Sequence, residues 1–220
     1  MPAGPYNAKE HVLSSIDQSL DMLSVRKIDI LQLHENPKRL LTDPLFWEGI
    51  NASKKAGKVG LFGISVYEPS ETLALIEKYG ARIDLLQIPY SIFDQRFESL
   101  FDQIEQKGLG VIARSIFLKG MIAAKKESVP EELAGLEPCK AKSEAISKKE
   151  RVSIPHLALR YVLDASVVMA TIVGVESVAE LEANTGALAR LDHWESIRSE
   201  LSTLGVSDHH LIDPRQWKQF

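Results

Sequence analysis

Runs of apolar residues as long as a strand alternate along this chain with segments whose apolar positions recur every three or four residues. Val12, Ile16, Leu20 and Leu23 form one such stripe and predict a helix over roughly 8–24. Asn7 stands at its head as N-cap, with Glu10 in the position of a capping-box partner. The run IDILQL (28–33) follows and ends at His34; near-continuous apolar character suits a strand buried on both faces. The unit then repeats. A helix over 44–56 stops at Gly57 and leads into the strand VGLFGIS (59–65). Pro69 opens a helix carrying Leu73, Ile76 and Tyr79, stopped by Gly80, before IDLLQIP (83–89). Phe97, Leu100, Phe101 and Ile104 mark a helix that Gly108 ends, before GVIARS (110–115). VVMATIVG (167–174) is the fifth strand. Strands separated by single helices predict parallel βαβ units in one α/β domain over 1–220.

Between the fourth and fifth strands, residues 121–150 form a charged insertion whose Lys-Lys and Lys-Lys-Glu runs read as solvated helix faces. Ser153 and Pro155 then start a helix, and Ser177 with Glu180 makes an S-x-x-E capping box after Gly174. The extension 190–220 carries Trp194, Trp217 and the pair His209–His210, read as packing and surface rather than as a metal site. Polar residues gather at the C-terminal ends of the strands: His34, Ser65, Gln87, and Arg114 with Ser115, while Gly174 closes the last. That edge of a parallel sheet is where ligands bind.

Composition narrows the classes. With 26 Lys and Arg against 30 Asp and Glu, the net charge of -4 and the lack of a basic block argue against nucleic acid and acidic membrane surfaces as partners. Cys139 is the only cysteine, which removes a disulfide framework and a cysteine-based zinc site. No apolar run approaches the ~18 residues of a membrane span, and the N-terminus lacks the build of a secretory signal. The expectation is a cytoplasmic protein.

SLDMLSVRKIDILQLHEN, GKVGLFGISVY, IDLLQIPYS, GVIARSIFLKG, LALRYVL and IVGVESVAELEAN, in this order and spacing, resemble the aldo-keto reductase family. GISVY, PYSIFDQR and RSIFLKG look most like members from bacterial sugar and surface-polysaccharide pathways. The resemblance implies a (β/α)8 TIM-type barrel and hydride transfer between a nicotinamide cofactor, NADP or NAD, and a small carbonyl or sugar substrate. It implies that His34 hydrogen-bonds the reacting oxygen and orients the carbonyl. Ser65 and Gln87 match residues that hold the nicotinamide carboxamide, although Val66 replaces the usual Asn. Arg114 matches a position that stacks on the nicotinamide. Ser115, Phe117 and Gly120 match the loop near the pyrophosphate and ribose, while Gly174, Glu180 and Asn184 match the adenosine end. Gly174 and Glu180 stand where members preferring the phosphorylated cofactor carry Lys and Arg; the Glu180 carboxylate would repel a 2′-phosphate or serve as a helix cap.

The family's catalytic Asp, Tyr and Lys come from three βα units that precede the matched part, on the order of 80–90 residues at barrel dimensions. The resemblance therefore implies about five of eight βα units, a truncated chain, and open strand edges prone to self-association or completion by another polypeptide. Tyr67 and Tyr90, just past strand ends, are the replacement acids within reach, with nothing basic identifiable beside them. The alternative function is a catalytically dead remnant that binds a dinucleotide or a partner. A serine hydrolase reading of GISVY fails because G-x-S-x-G needs glycine where Tyr67 stands.

Overall fold

In the computed structural model, which describes residues 7–34, 38–124, 128–187 and 191–218, several helices begin where a side chain satisfies free N–H groups of the first turn. The Asn7 side chain accepts from the N–H groups of Lys9 and Glu10 at the head of α1 (Ala8–Leu23). A short helix α2 (Lys38–Leu41) precedes α3 (Pro44–Lys55), which Asp43 caps through Leu45 N–H. α4 (Pro69–Tyr79) starts on a proline, whose missing N–H costs nothing in a first turn. After α5 (Phe101–Gln106) come α6 (Glu137–Glu150) and α7 (Ile154–Leu163), the latter capped by Ser153 through His156 N–H. α8 (Val178–Gly186), α9 (Trp194–Leu201) and α10 (His209–Ile212) complete the set. None of the helices among the described residues is long and apolar enough to cross a membrane.

Five strands, β1 (Ile28–Leu33), β2 (Val59–Ser65), β3 (Leu85–Pro89), β4 (Gly110–Arg114) and β5 (Val168–Thr171), pair in chain order, and every pair is parallel. A doubly wound sheet reverses its strand order at a switch point. This one never does, which is the singly wound order of a TIM-type barrel. Among the described residues the sheet is open, with β1 and β5 as its edges.

Alternation along the strands separates two faces. Phe62, Ile64, Leu86, Ile88, Val111 and Ala113 are fully buried with side chains of the helical layer, among them Phe46, Trp47, Ile76 and Ile104. Each such large side chain contributes roughly 1.5–3 kcal/mol on burial. On the opposite face Ile30 and Leu61, register neighbours, remain 37% and 36% exposed. Met169, packed over Gly110, is 55% exposed. Gly63 leaves room there for Leu85, whose Cδ1 lies 2.3 Å from where a Cβ would stand.

Several boundaries differ from the sequence reading. β3 begins at Leu85 rather than 83, because the Asp84 side chain accepts Phe62 N–H and Asp84 N–H bonds the Phe62 carbonyl, tying that residue into a turn. The helix expected around 97–104 divides into a 3₁₀ turn, Arg96–Leu100, followed by α5. The last strand shortens to Val168–Thr171, with a register shift at Val111/Ile112 where it meets β4. Within 121–150, a 3₁₀ turn (Glu131–Leu136) precedes α6, which carries the solvated charged face expected there and also buries Lys140, Ser143 and Ile146. Of the two Lys-Lys-Glu runs, Lys148 and Lys149 are exposed, and residues 125–127 lie outside the described residues.

Candidate active site

Parallel pairing brings the C-terminal ends of the strands to one edge. Leu33 lies in register with Ile64, Ser65 with Gln87, Pro89 with Arg114, and Ala113 with Thr171. His34, Ser65, Gln87 and Arg114 therefore stand at one rim of the sheet. His34 is exposed there, one residue past β1. Ser65 is 2% exposed and its Oγ is buried without a hydrogen-bond partner. A buried hydroxyl left unpaired is costly. Gln87 donates through Nε2 to Gln32 Oε1 at 3.1 Å, bridging β3 and β1.

The Arg114 guanidinium lies 4.1 Å from the centroid of the Tyr67 ring and donates to Ser115 Oγ and the Val66 carbonyl. Its buried Nε has no partner. Burial lowers the pKa of Arg114, with the neighbouring Arg215 charge acting in the same direction. Arg215, carried in from the C-terminal extension, lies 3.5 Å from the same ring centroid. Its Nε and Nη2 donate to the Asp213 carboxylate, which is 6% exposed. Burial alone would raise the pKa of Asp213, but bonds from the Arg215 side chain, Gln216 and Arg215 N–H outweigh it and hold it at about 2.

Past β4 the backbone turns through four left-handed residues, Ser115 (φ 59°), Leu118 (φ 45°), Lys119 (φ 50°) and Gly120 (φ 84°). Three of them carry side chains, and each such conformation costs on the order of 1 kcal/mol or more. The strain is held from behind by Lys140, 2% exposed on α6, whose Nζ donates to the Met121 and Ala124 carbonyls at 3.0 and 2.6 Å. The loop forms one wall of a cleft of about 720 Å³, and the segment from Ile172 to Asn184 forms the other. Ser115, Phe117, Gly120, Gly174, Glu180 and Asn184 all line it, so one cavity gathers six residues that are up to 69 positions apart in sequence. On its far side the N-terminus of α8 is capped: Ser177 Oγ accepts Glu180 N–H, and the Glu180 carboxylate accepts Glu176 N–H, one residue earlier than a capping box predicts. Glu180 thus both caps the helix and lines the cleft.

The two tyrosines separate. Tyr90 is fully buried and its hydroxyl donates to Glu98 at 2.6 Å, a carboxylate that also accepts from Tyr161. Burial, the neighbouring Tyr161 and the Glu98 carboxylate raise its pKa far above the ordinary range, which removes it as an acid. Tyr67 does stand at the rim, and the expectation of nothing basic beside it is corrected by its two guanidinium neighbours. Arg215, Gln32 and Lys140 escape sequence reasoning, for each acts across a long stretch of chain without a local pattern. Trp194 and Trp217 pack into the core, and His209 lies beside Arg96 and Glu68. Among the described residues no group of three His, Cys, Asp or Glu side chains could hold a metal ion.

Known proteins agree with this architecture. The profile of the aldo/keto reductase family matches residues 1–198. L-galactose dehydrogenase of Arabidopsis thaliana is 28% identical over 89% of this chain and 62% of its own length. L-glyceraldehyde 3-phosphate reductase of Escherichia coli K12 is 24% identical over 96% of this chain and 66% of its own. The chain thus spans just under two thirds of these relatives. In fold, aldo-keto reductase AKR11C1 from Bacillus halodurans superposes with a TM-score of 0.72 over 94% of this chain and 72% of that one, at 23% identity. With the strand order, the rim and the family profile in agreement, the chain belongs to the aldo/keto reductase family.

Proposed function

We propose that this chain carries the cofactor half of an NAD(P)(H)-dependent oxidoreductase that acts on a small carbonyl or sugar, in the cytoplasm. The observation that carries the reading is the orphaned, buried Ser65 hydroxyl at the same sheet rim as the 720 Å³ cleft. A nicotinamide, when bound, supplies or takes the hydride at its C4. Ser65 Oγ offers the carboxamide one donor-acceptor group, and Gln87 offers a second through the amide that now bonds Gln32. Arg114 borders the ring through its flat guanidinium. Ser115, Phe117 and Gly120 border the pyrophosphate, with the strained loop fixed in advance by Lys140. Gly174, Glu180 and Asn184 border the adenosine, where the Glu180 carboxylate disfavours a 2′-phosphate. The exposed His34 imidazole orients the carbonyl oxygen from the end of β1. The two relatives' names point to L-galactose and L-glyceraldehyde 3-phosphate, both small polyhydroxy carbonyl compounds.

A second reading, dinucleotide binding without turnover, is favoured by the sealing of Tyr90 against Glu98. Lack of a general acid costs roughly 10²–10⁴ in rate. Fluorescence titration with NADH and NADPH, followed by an aldehyde panel, separates the two. NADH binding tighter than NADPH with aldehyde-dependent oxidation supports the enzyme, and binding alone supports the second reading. No saturable binding of either nucleotide overturns both.

A further inference from the structure

We propose that Arg215 and Arg114, gathered over the Tyr67 ring, form the docking point for the oxyanion of a phosphate- or carboxylate-bearing carbonyl substrate. The inference rests on reading the sheet rim as a reductase site and adds the class of molecule that site takes. Tyr67 lies two residues past β2, and the guanidinium carbons of Arg114 and Arg215 sit 4.1 and 3.5 Å from its centroid. Two like charges on one ring are within about 8 Å of each other and repel.

Their compensation is unequal. Asp213 takes Nε and Nη2 of Arg215, which leaves its Nη1 for a ligand, and the side chain is 49% exposed and reachable. Arg114 bonds two neutral oxygens at 3.2 and 3.3 Å, no carboxylate, and its Nε has no partner. The other acids nearby are engaged elsewhere: Asp94 forks onto Arg96, and Glu68 meets Arg96 and His209. A half-buried guanidinium without a carboxylate partner is costly, and a pair of oxygens from a carboxylate or a phosphate matches its fork. The hydroxyls of a neutral sugar would leave that charge uncompensated.

Calorimetric titration of the full chain with glycerol 3-phosphate, glycerate and glycerol tests this without turnover. At least one of the two anions should bind about tenfold more tightly than glycerol. Arg215→Gln, titrated well below its unfolding transition because the Asp213 fork is lost with it, should remove most of that advantage while leaving glycerol binding unchanged, and Arg215→Lys should keep part of it. Equal affinities for all three probes, or anion binding that survives Arg215→Gln, overturns the proposal. NADH titrated in parallel separates the two readings. Lost NADH binding with intact, Arg215-dependent anion binding overturns the cofactor reading alone, and the converse overturns this site alone.

Discussion

Removing the Ser65 hydroxyl should move stability and cofactor binding in opposite directions. In the free protein this oxygen is buried without a partner, and leaving such a group unmade costs about 1–3 kcal/mol. Ser65→Ala deletes one atom and leaves almost no cavity, so the free chain should gain about 1 kcal/mol. Its urea midpoint should rise with no change in slope. Bound to NADH, the same substitution removes a hydrogen bond to the carboxamide, about 0.5–1.5 kcal/mol, which weakens the dissociation constant roughly twofold to tenfold. Urea unfolding followed by fluorescence and NADH titration under the same buffer conditions read both signs. A variant less stable than the wild type means the hydroxyl already has a structural partner. Unchanged NADH affinity means it does not face the nicotinamide. Either result refutes the reasoning.

Three further outcomes follow from the same geometry. Lys140→Met should free the loop 116–124 from behind, costing about 2–3 kcal/mol for the charged hydrogen bonds lost and speeding hydrogen exchange of those amides; unchanged exchange there would contradict the clamp. Asp213 is held below its ordinary pKa, so its contribution of about 2 kcal/mol is full above pH ~4 and is lost as pH falls through about 2. Asp213→Asn should flatten the acid limb of an unfolding-versus-pH curve, and a limb of unchanged steepness would count against the Arg215 fork. Leu61→Lys with Met169→Lys places charge on the exposed sheet face and should reduce light scattering from concentrated solution without lowering stability by more than about 0.5 kcal/mol; undiminished scattering would place the sticky surface elsewhere.

The sheet was legible because its strands are apolar runs bounded by chemistry with a local cause. β1 and β2 match their predicted ranges residue for residue, and Asn7, Ser153 and Ser177 cap the helices they head. α6 was not legible as a packed element. Its buried side include a lysine and a serine whose partners are loop carbonyls and its own backbone, so no apolar stripe announces it. At the rim, the strand-end residues could be identified from their positions, since a parallel sheet carries them to one edge. The Arg114–Tyr67–Arg215 group could not. Arg215 lies 148 positions after Tyr67, and the segment Asp213–Pro214–Arg215 reads locally as no more than a turn. Backbone strain at Ser115, Leu118 and Lys119 was equally hidden, for none of the three is a residue type that signals a left-handed conformation.

Amide chemical-shift mapping of the isotope-labelled chain during NADH titration tests the central claim most directly. The account predicts saturable shifts at Ser65, Gln87, residues 114–123 and residues 172–184, at the C-terminal rim of the sheet. Shifts confined instead to the opposite edge, around Asp84, Gly110 and Ser166, would contradict it.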